Sequence, residues 1–156
     1  MQQAEPAPGE GVIIPQSTID DSSKKKAKHR TPRQTEVYRD MANIKVLIAR
    51  VMMKSPRRLA KFCDGMLGTV SNAKHSLSFA LEYGDGAARC ENLSFAKALV
   101  EDIEDDAKIL QLLGVINKSE CREIKSLAQK VVGQCSRLRD YYNSQGMNTN
   151  VNTLSE

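Results

Sequence analysis

Residues 118–142 read KSECREIKSLAQKVVGQCSRLRDYY, and their apolar side chains recur alternately three and four positions apart. In an α-helix this spacing puts the apolar side chains on one narrow stripe, which packs against other helices while the opposite face meets water. The stripe consists of Cys121, Ile124, Ala128, Val131, Cys135, Leu138 and Tyr142. The stretch therefore predicts an amphipathic helix that belongs to a helical bundle.

Three earlier stretches repeat the pattern and predict helices over about 31–53, about 56–83, and from between 87 and 93 to 113. Their stripes are Val37, Met41, Ile44, Ile48 and Val51; Leu59, Cys63, Met66, Val70, Ala73, Leu77 and Ala80; and Leu93, Ala96, Val100, Ile103, Ala107 and Leu110. Because the connections are short, neighbouring helices are expected to pack antiparallel. The expected fold is all-α, an up-down-up-down four-helix bundle over 31–142, and we expect it to be a homo-oligomer.

The two ends of the chain have a different composition. Residues 1–30 mix Gln, Pro, Gly, Ser and charged residues and are expected to form a disordered basic arm. Residues 143–156 are rich in Asn, Ser and Thr and are expected to form a disordered polar tail. The chain is therefore expected to hold one folded domain with an extension at each end.

Local signals mark the expected helix ends. Thr31 and Gln34 can form a capping box around a proline at the first helical position, and Asn117 and Glu120 can form another. Ser55-Pro56 predicts the start of helix 2. Gly114 predicts a left-handed residue after helix 3.

Two features point to close helix contacts. Gly65 and Gly68 lie inside helix 2, where glycine is unfavourable, so we expect a neighbouring helix to approach there. Helix 3 carries a second apolar row beside its stripe, made of Phe95, Leu99, Ile109 and Leu113. Two interpretations of this row stay open: a contact between subunits, or a helix buried at the centre of the fold.

Charge is unevenly distributed along the chain. Residues 36–81 hold eight basic and three acidic groups, whereas residues 82–117 hold three basic and eight acidic groups. This asymmetry favours an anionic partner or docking between copies. The expected turn between helices 1 and 2 concentrates cations suited to phosphate contacts with nucleic acid, RNA or DNA. They are Arg50, Lys54, Arg57, Arg58 and Lys61, with Lys24, Lys25, Lys26, Lys28 and Arg30 as a second set in the arm. Ordinary solubilising charge is the alternative for both sets, and a nuclear import signal, in a eukaryotic host, is a third interpretation of the set in the arm.

The acidic residues of helix 3 suggest a different partner. Asp102, Asp105 and Asp106 form either a solvated face or a docking patch for a basic protein. The two histidines, His29 and His75, have no glutamate three positions before them, as a bundle metal site needs. No phosphate-binding glycine loop or hydrolase motif occurs. We therefore expect no enzyme activity, no cofactor and no metal.

The cysteines and the hydropathy bear on the compartment. Cys63, Cys121 and Cys135 fall on apolar stripes, and none of the four cysteines forms a CxxC pair with another. We therefore expect reduced thiols in a cytoplasmic protein. No apolar run approaches the length of a membrane span, so no membrane partner is expected.

Three segments resemble a known family. They are Ser55-Pro-Arg-Arg-Leu59, Leu112-Leu-Gly-Val-Ile-Asn-Lys-Ser-Glu120 and Val131-Val-Gly-Gln-Cys-Ser-Arg-Leu138. Together they resemble small bacterial four-helix bundles encoded in intervening sequences of large-subunit ribosomal RNA genes. The same fold includes the accessory variability determinants of diversity-generating retroelements. The resemblance covers residues 36–142.

The resemblance implies a function for the bundle. Retroelement members are homopentameric barrels that bind nucleic acid and associate with the element's reverse transcriptase in mutagenic retrohoming. Arg57, with Arg58 beside it, is the position that the resemblance carries over most directly. We therefore expect a non-enzymatic nucleic-acid-binding accessory protein. The alternatives are an intervening-sequence protein, or a protein-interaction bundle that docks through the acidic face of helix 3.

Overall fold

The computed structural model describes residues 31–151 and the side chains of residues 31–146, and in this part of the chain all regular structure is helical. Four long helices account for most of it, with one short 3₁₀ turn between the first two. The elements are α1 Pro32–Lys54, the 3₁₀ turn Arg57–Leu59, α2 Ala60–Glu82, α3 Gly86–Leu112 and α4 Lys118–Val151. The predicted disordered arm over 1–30 lies outside the described residues.

The predicted stripes form the core. Each helix packs against its neighbours in sequence, and α1 also packs against α4. Every stripe residue is buried except Leu59, which precedes α2 and is half-buried. The prediction of an all-α fold built on these stripes is therefore confirmed.

Two of the predicted end signals form full capping boxes. The hydroxyl of Thr31 accepts a hydrogen bond from the Gln34 backbone N–H, and Gln34 Oε1 accepts from the Thr31 N–H. Asn117 and Glu120 exchange the same pair of bonds at the start of α4. Gly114 has a φ of +72°, as predicted for the residue that ends α3. These three local predictions are confirmed.

The predicted start of helix 2 at Pro56 is wrong by one turn. Ser55 does not cap α2, because its hydroxyl donates a hydrogen bond back to the Val51 carbonyl at 2.7 Å. The Leu59 N–H instead bonds to the Pro56 carbonyl at 2.9 Å, and a 3₁₀ turn precedes the α-helix at Ala60. The turn keeps Arg57 and Arg58 outside α2.

Helix 3 begins earlier than predicted and ends one residue earlier, at Leu112. The predicted start lay between 87 and 93, but the observed first residue is Gly86. Asp85 explains the difference, because its carboxylate accepts a hydrogen bond from the Ala88 N–H at 2.9 Å and so caps the helix. Gly84, with a φ of +88°, makes the tight reversal that leads into this cap.

The predicted tail over 143–156 is wrong for residues 143–151, which continue α4. Once a helix has formed, each added residue gains a hydrogen bond at little further cost, so a polar composition alone does not end it. Tyr142 also anchors this end, because it is buried and its hydroxyl accepts a bond from Gln34 Nε2 at 2.8 Å. Residues 152–156 lie outside the described residues.

The expected close approach of a helix to Gly65 and Gly68 is wrong within this chain. A β-carbon placed on either glycine would meet no atom within 4 Å, apart from its own neighbours in the chain and helix. Both glycines lie on the exposed side of α2. Their absent side chains therefore make room for nothing in the described part of the subunit.

Candidate nucleic-acid interface

The α1–α2 turn gathers the predicted cations at one end of the bundle. Arg50 and Lys54 lie in the last turns of α1, Arg57 and Arg58 form the 3₁₀ turn, and Lys61 begins α2. All five are exposed. We call this set the basic turn. Chain connectivity explains the grouping, because twelve residues span the end of one helix and the start of the next.

One member of the basic turn is already paired. Lys54 Nζ bonds to Glu120 Oε1 at the start of α4. The hydrogen bond from Lys54, together with one from the Asn117 N–H, holds the pKa of Glu120 below its ordinary value. The other four cations make no ion pair with any residue that the structure describes. The basic turn thus keeps four cations free for an external anion.

Acidic residues of α4 reduce the positive charge of the basic turn on the side that faces this helix. A shallow cleft of about 150 Å³ between α1 and α4 is lined by Arg50 and Lys54 together with Glu120 and Glu123. The two glutamates offset the positive charge there. The unopposed positive surface therefore faces away from α4, over Arg57, Arg58 and the start of α2.

The cations predicted in the arm, Lys24, Lys25, Lys26, Lys28 and Arg30, lie outside the described residues. Thr31, which follows them in the chain, lies at the opposite end of α1 from Lys54. A helix of 23 residues is about 35 Å long. The arm is therefore joined to the bundle at the end opposite to the basic turn.

The acidic face lies on α3, as predicted. Asp102 and Asp105 are exposed and Asp106 is half-buried. Burial raises the pKa of Asp106, and the charges of Asp102 and Asp105 raise it further. Asp105 accepts a hydrogen bond from Lys108 at 2.9 Å, so this cation neutralises only part of the face.

The second apolar row of helix 3 is not buried at the centre of the fold. Phe95 is 55% exposed, Ile109 is 42% exposed and Leu113 is 55% exposed. Leu99 is half-buried. The interpretation of a central helix is therefore wrong, and the row lies on the outer surface of the bundle.

A buried polar network between α1 and α4 was not predicted. Asp40 is 3% exposed and accepts hydrogen bonds from Lys130 Nζ at 2.8 Å and Gln134 Nε2 at 2.9 Å. Lys130 also pairs with Glu36 at 3.1 Å. The signal in the sequence was weak, because the partners are about 90 residues apart and only the packing of α1 on α4 joins them.

The network makes stability depend on pH. Burial tends to raise the pKa of Asp40, but the hydrogen bonds from Lys130 and Gln134 and the charges of Lys130 and Arg39 outweigh it, so the pKa lies below its ordinary value. A carboxylate with a depressed pKa stabilises the fold above its unfolded pKa, and this stabilisation is lost as pH falls through the folded pKa.

We expect Asp40→Asn to lower the free energy of unfolding by about 1–2 kcal/mol at neutral pH, because hydrogen bonds to a charged group are lost. The deficit should begin to shrink below about pH 4, where the carboxylate of the unfolded chain becomes protonated, and should vanish only below the lower pKa of the folded state. Urea unfolding across this range measures it, with the exposed Asp64→Asn variant as control. A deficit that grows on acidification would contradict the assignment.

Cysteines and clusters of possible metal ligands were the remaining candidates for a chemical site within the described residues. No group of three or more His, Cys, Asp or Glu side chains is placed to hold a metal ion, as far as residues 31–146 show. Cys63, Cys90, Cys121 and Cys135 are all free thiols. Burial raises the pKa of Cys135 to about 12, which makes it an unreactive core residue. No helix in the described part of the chain is both long and apolar enough to cross a membrane.

Comparisons with family models, curated proteins and solved structures gave no match to this chain. The fold and the site therefore define its class by physical features alone. It is a four-helix bundle with a basic turn at one end and an acidic third helix.

Proposed function

We propose that this chain is a non-enzymatic nucleic-acid-binding protein that contacts phosphates through the basic turn. The observation that carries the proposal is the set of four exposed cations without an ion pair in the described structure: Arg50, Arg57, Arg58 and Lys61. Nucleic acid displays phosphates at regular short intervals, so a cluster of this kind can neutralise several at once. Arginine can also bind a phosphate through two parallel hydrogen bonds.

Recognition is assigned to the backbone rather than to the bases. Phe79 lies near the end of α2 and Tyr83 follows that helix, so both exposed rings are far from the basic turn. Phe62 lies next to Lys61, but it is half-buried and packs against the core. Phe95 lies in the first half of α3, and Tyr141 lies near the anchored end of α4. Base stacking needs an aromatic surface within the binding groove. Contacts to phosphate and sugar need none, and they favour binding with little sequence preference.

The biological setting that we propose is a diversity-generating retroelement, in which the chain would associate with the reverse transcriptase and its RNA or DNA. This part rests on the family resemblance of residues 36–142. An up-down-up-down arrangement fits it, because Gln34 meets Tyr142 at one end of α1 and Lys54 meets Glu120 at the other. These pairs run α1 antiparallel to α4. An intervening-sequence protein is the alternative within the same family.

We further propose a homo-oligomer that uses the exposed row on α3. A symmetric contact that placed two α3 helices together would bring both sets of Asp102, Asp105 and Asp106 near one another, and like charges at an interface are costly. A head-to-tail contact avoids this repulsion, and contacts of that kind form rings where the rotation between copies closes. This geometry is compatible with the pentamer that the resemblance implies.

The second candidate function is a protein-interaction bundle. It is favoured by one observation, the half-buried carboxylate of Asp106 beside exposed apolar side chains on α3. A basic amphipathic helix could cover the apolar row and neutralise the acidic face. This candidate needs no nucleic acid.

We expect binding to a duplex of about 20 base pairs to weaken steeply with salt, with a slope of about −4 on logarithmic axes, because each of about four phosphate contacts contributes about −0.9. Fluorescence anisotropy between about 50 and 200 mM salt measures it, on RNA and DNA in parallel. An affinity for the duplex that does not change with salt, or no binding at the lowest salt concentration, would contradict the proposal.

Charge reversal on α3 separates the two candidates. In an Asp102→Lys, Asp105→Lys, Asp106→Lys variant, nucleic-acid affinity should stay equal or rise, because acidic groups that repel phosphate are removed. Under the second candidate, the same variant would lose its protein partner. A fall in duplex affinity with the helical content intact would count against the basic turn as the main contact.

A further inference from the structure

A second surface feature lies at the opposite end of the bundle from the basic turn. An open cleft of about 510 Å³ lies between the start of α1 and residues 134–141 of α4. This size falls within the range of pockets that hold small organic ligands. Its polar and charged lining includes Arg33, Arg137 and Gln134, and its apolar lining includes Pro32, Leu138 and the ring of Tyr141.

Gln134, which lines this cleft, has a side-chain hydrogen-bond acceptor without a partner in the described structure. Its side chain is 7% exposed, and Oε1 is the one buried side-chain oxygen or nitrogen without a partner among the residues the structure describes. The orientation of the amide is fixed, because Nε2 donates to Asp40 Oδ2 at 2.9 Å. Flipping the amide would place two oxygens together, so Oε1 must face away from Asp40. A buried acceptor of this kind calls for an N–H or O–H donor.

Two arginines give the cleft a positive charge. Arg33 and Arg137 are exposed and make no ion pair within the described part of the chain. The one carboxylate in the lining, Glu36, is engaged by Lys130 at 3.1 Å. An anionic group therefore has two free cations to meet at this site.

The apolar part of the cleft is flat and firmly supported. Tyr141 is 53% exposed, and its ring contacts Tyr142 edge-on with 5.5 Å between the centroids. Gln34 is held at both ends, by the Thr31 N–H at 2.9 Å and by the Tyr142 hydroxyl at 2.8 Å. The capping box and the network of Asp40 thus hold the two walls in place.

We propose that this cleft binds a nucleoside monophosphate unit. Its phosphate would lie between Arg33 and Arg137, a donor of the nucleoside would bond to Gln134 Oε1, and the base would lie on the Tyr141 ring. Each common base offers an N–H donor and a flat face, so the site does not require one particular base. The inference goes beyond the proposed function, because this site lies at the other end of the bundle and takes a single nucleotide.

The test uses the full chain and isothermal titration with three probes, 5′-AMP, inorganic phosphate and adenosine. We expect 5′-AMP to bind at millimolar or lower concentration, and each fragment alone to bind at least about tenfold more weakly. Arg137→Gln should weaken 5′-AMP by about tenfold or more, because a charge-assisted hydrogen bond is lost. The matched control is Arg122→Gln, which removes an exposed arginine of α4 outside the cleft.

A Gln134→Leu variant examines the buried acceptor, and circular dichroism shows first whether it folds. We expect this variant to bind 5′-AMP more weakly than wild type and to bind inorganic phosphate with unchanged affinity. If it does not fold, the Arg137→Gln result decides. Equal affinity for phosphate and 5′-AMP would contradict the proposed contact with the nucleoside. Absence of 5′-AMP binding would contradict the site as a whole. Equal losses of 5′-AMP affinity in Arg137→Gln and Arg122→Gln would also contradict it.

Two further arms identify the source of the nucleotide and separate this inference from the proposed function. If a duplex with a 5′-phosphorylated overhang displaces 5′-AMP, the nucleotide is the end of a strand; if not, it is a free nucleotide. A blunt, unphosphorylated duplex reports the basic turn, and Arg137→Gln should bind it as wild type does. If the wild-type chain binds the blunt duplex but does not bind 5′-AMP, the inference is overturned and the proposed function stands.

Discussion

An Arg57→Gln, Arg58→Gln double variant is expected to bind duplex RNA or DNA about 100-fold more weakly than wild type at low salt. Each arginine is exposed, lies in the 3₁₀ turn and has no ion pair in the described structure. Loss of a charge-assisted hydrogen bond costs about tenfold per arginine, and the slope of affinity against salt should fall by about one unit for each. Anisotropy titrations at several salt concentrations measure both quantities.

The matched control removes the same charge from another place. Lys97→Gln with Lys108→Gln also deletes two cations, but both lie on the acidic helix α3 and pair with its carboxylates. We expect a much smaller loss of duplex affinity in this control. If both double variants weaken binding equally, net charge rather than the basic turn governs the interaction.

Leu110→Ala is expected to lower the free energy of unfolding by about 2–5 kcal/mol, because it removes apolar contacts and leaves a cavity in a packed core. Leu110 is fully buried, and it lies on the α3 stripe that packs against α2 and α4. Its backbone carbonyl also accepts the Val115 N–H at 2.9 Å where the chain leaves α3. Chemical denaturation measures the change in unfolding free energy. A decrease of this size is a large fraction of the unfolding free energy of an ordinary domain.

Leu112→Ala is the matched control for this second prediction. It makes the same chemical change two residues later on the same helix, at a side chain that is 87% exposed. We expect its unfolding free energy to lie within about 0.5 kcal/mol of wild type. A similar destabilisation in both variants would contradict the burial pattern of α3, unless Leu112 is covered by a second copy. Measurement across protein concentrations distinguishes these cases.

Local sequence signals predicted the parts of the fold that depend on neighbours in the chain. The capping boxes at Thr31 and Asn117 could be predicted because donor and acceptor lie three residues apart, so the bonds need no distant contact. The same signals failed at Ser55, where the hydroxyl had two backbone partners to choose from and bonded to Val51. The continuation of α4 past Tyr142 was missed because a polar composition is compatible with both helix and tail.

The two candidate sites, the basic turn and the cleft at the other end of the bundle, also differ in whether the sequence could predict them. The basic turn could be predicted, because Arg50 to Lys61 are close in sequence and a turn must bring them together. The cleft at the other end could not be predicted, because Arg33 and Arg137 lie about a hundred residues apart and only the packing of α1 on α4 joins them. The network of Asp40, which fixes the Gln134 amide, depends on the same packing.

By itself the sequence determined four amphipathic helices, most of their ends and the separation of positive from negative charge. These properties follow from the period of the helix and from contacts within a few residues, which the order of amino acids fixes directly. Only the tertiary structure decided that Phe95, Ile109 and Leu113 stay exposed, that Gly65 and Gly68 contact nothing, and that Gln134 keeps a free acceptor. A hydrophobic stripe specifies the face of a helix that packs against the core. Whether a second face is also buried depends on which helices are its neighbours and how they are rotated about their axes.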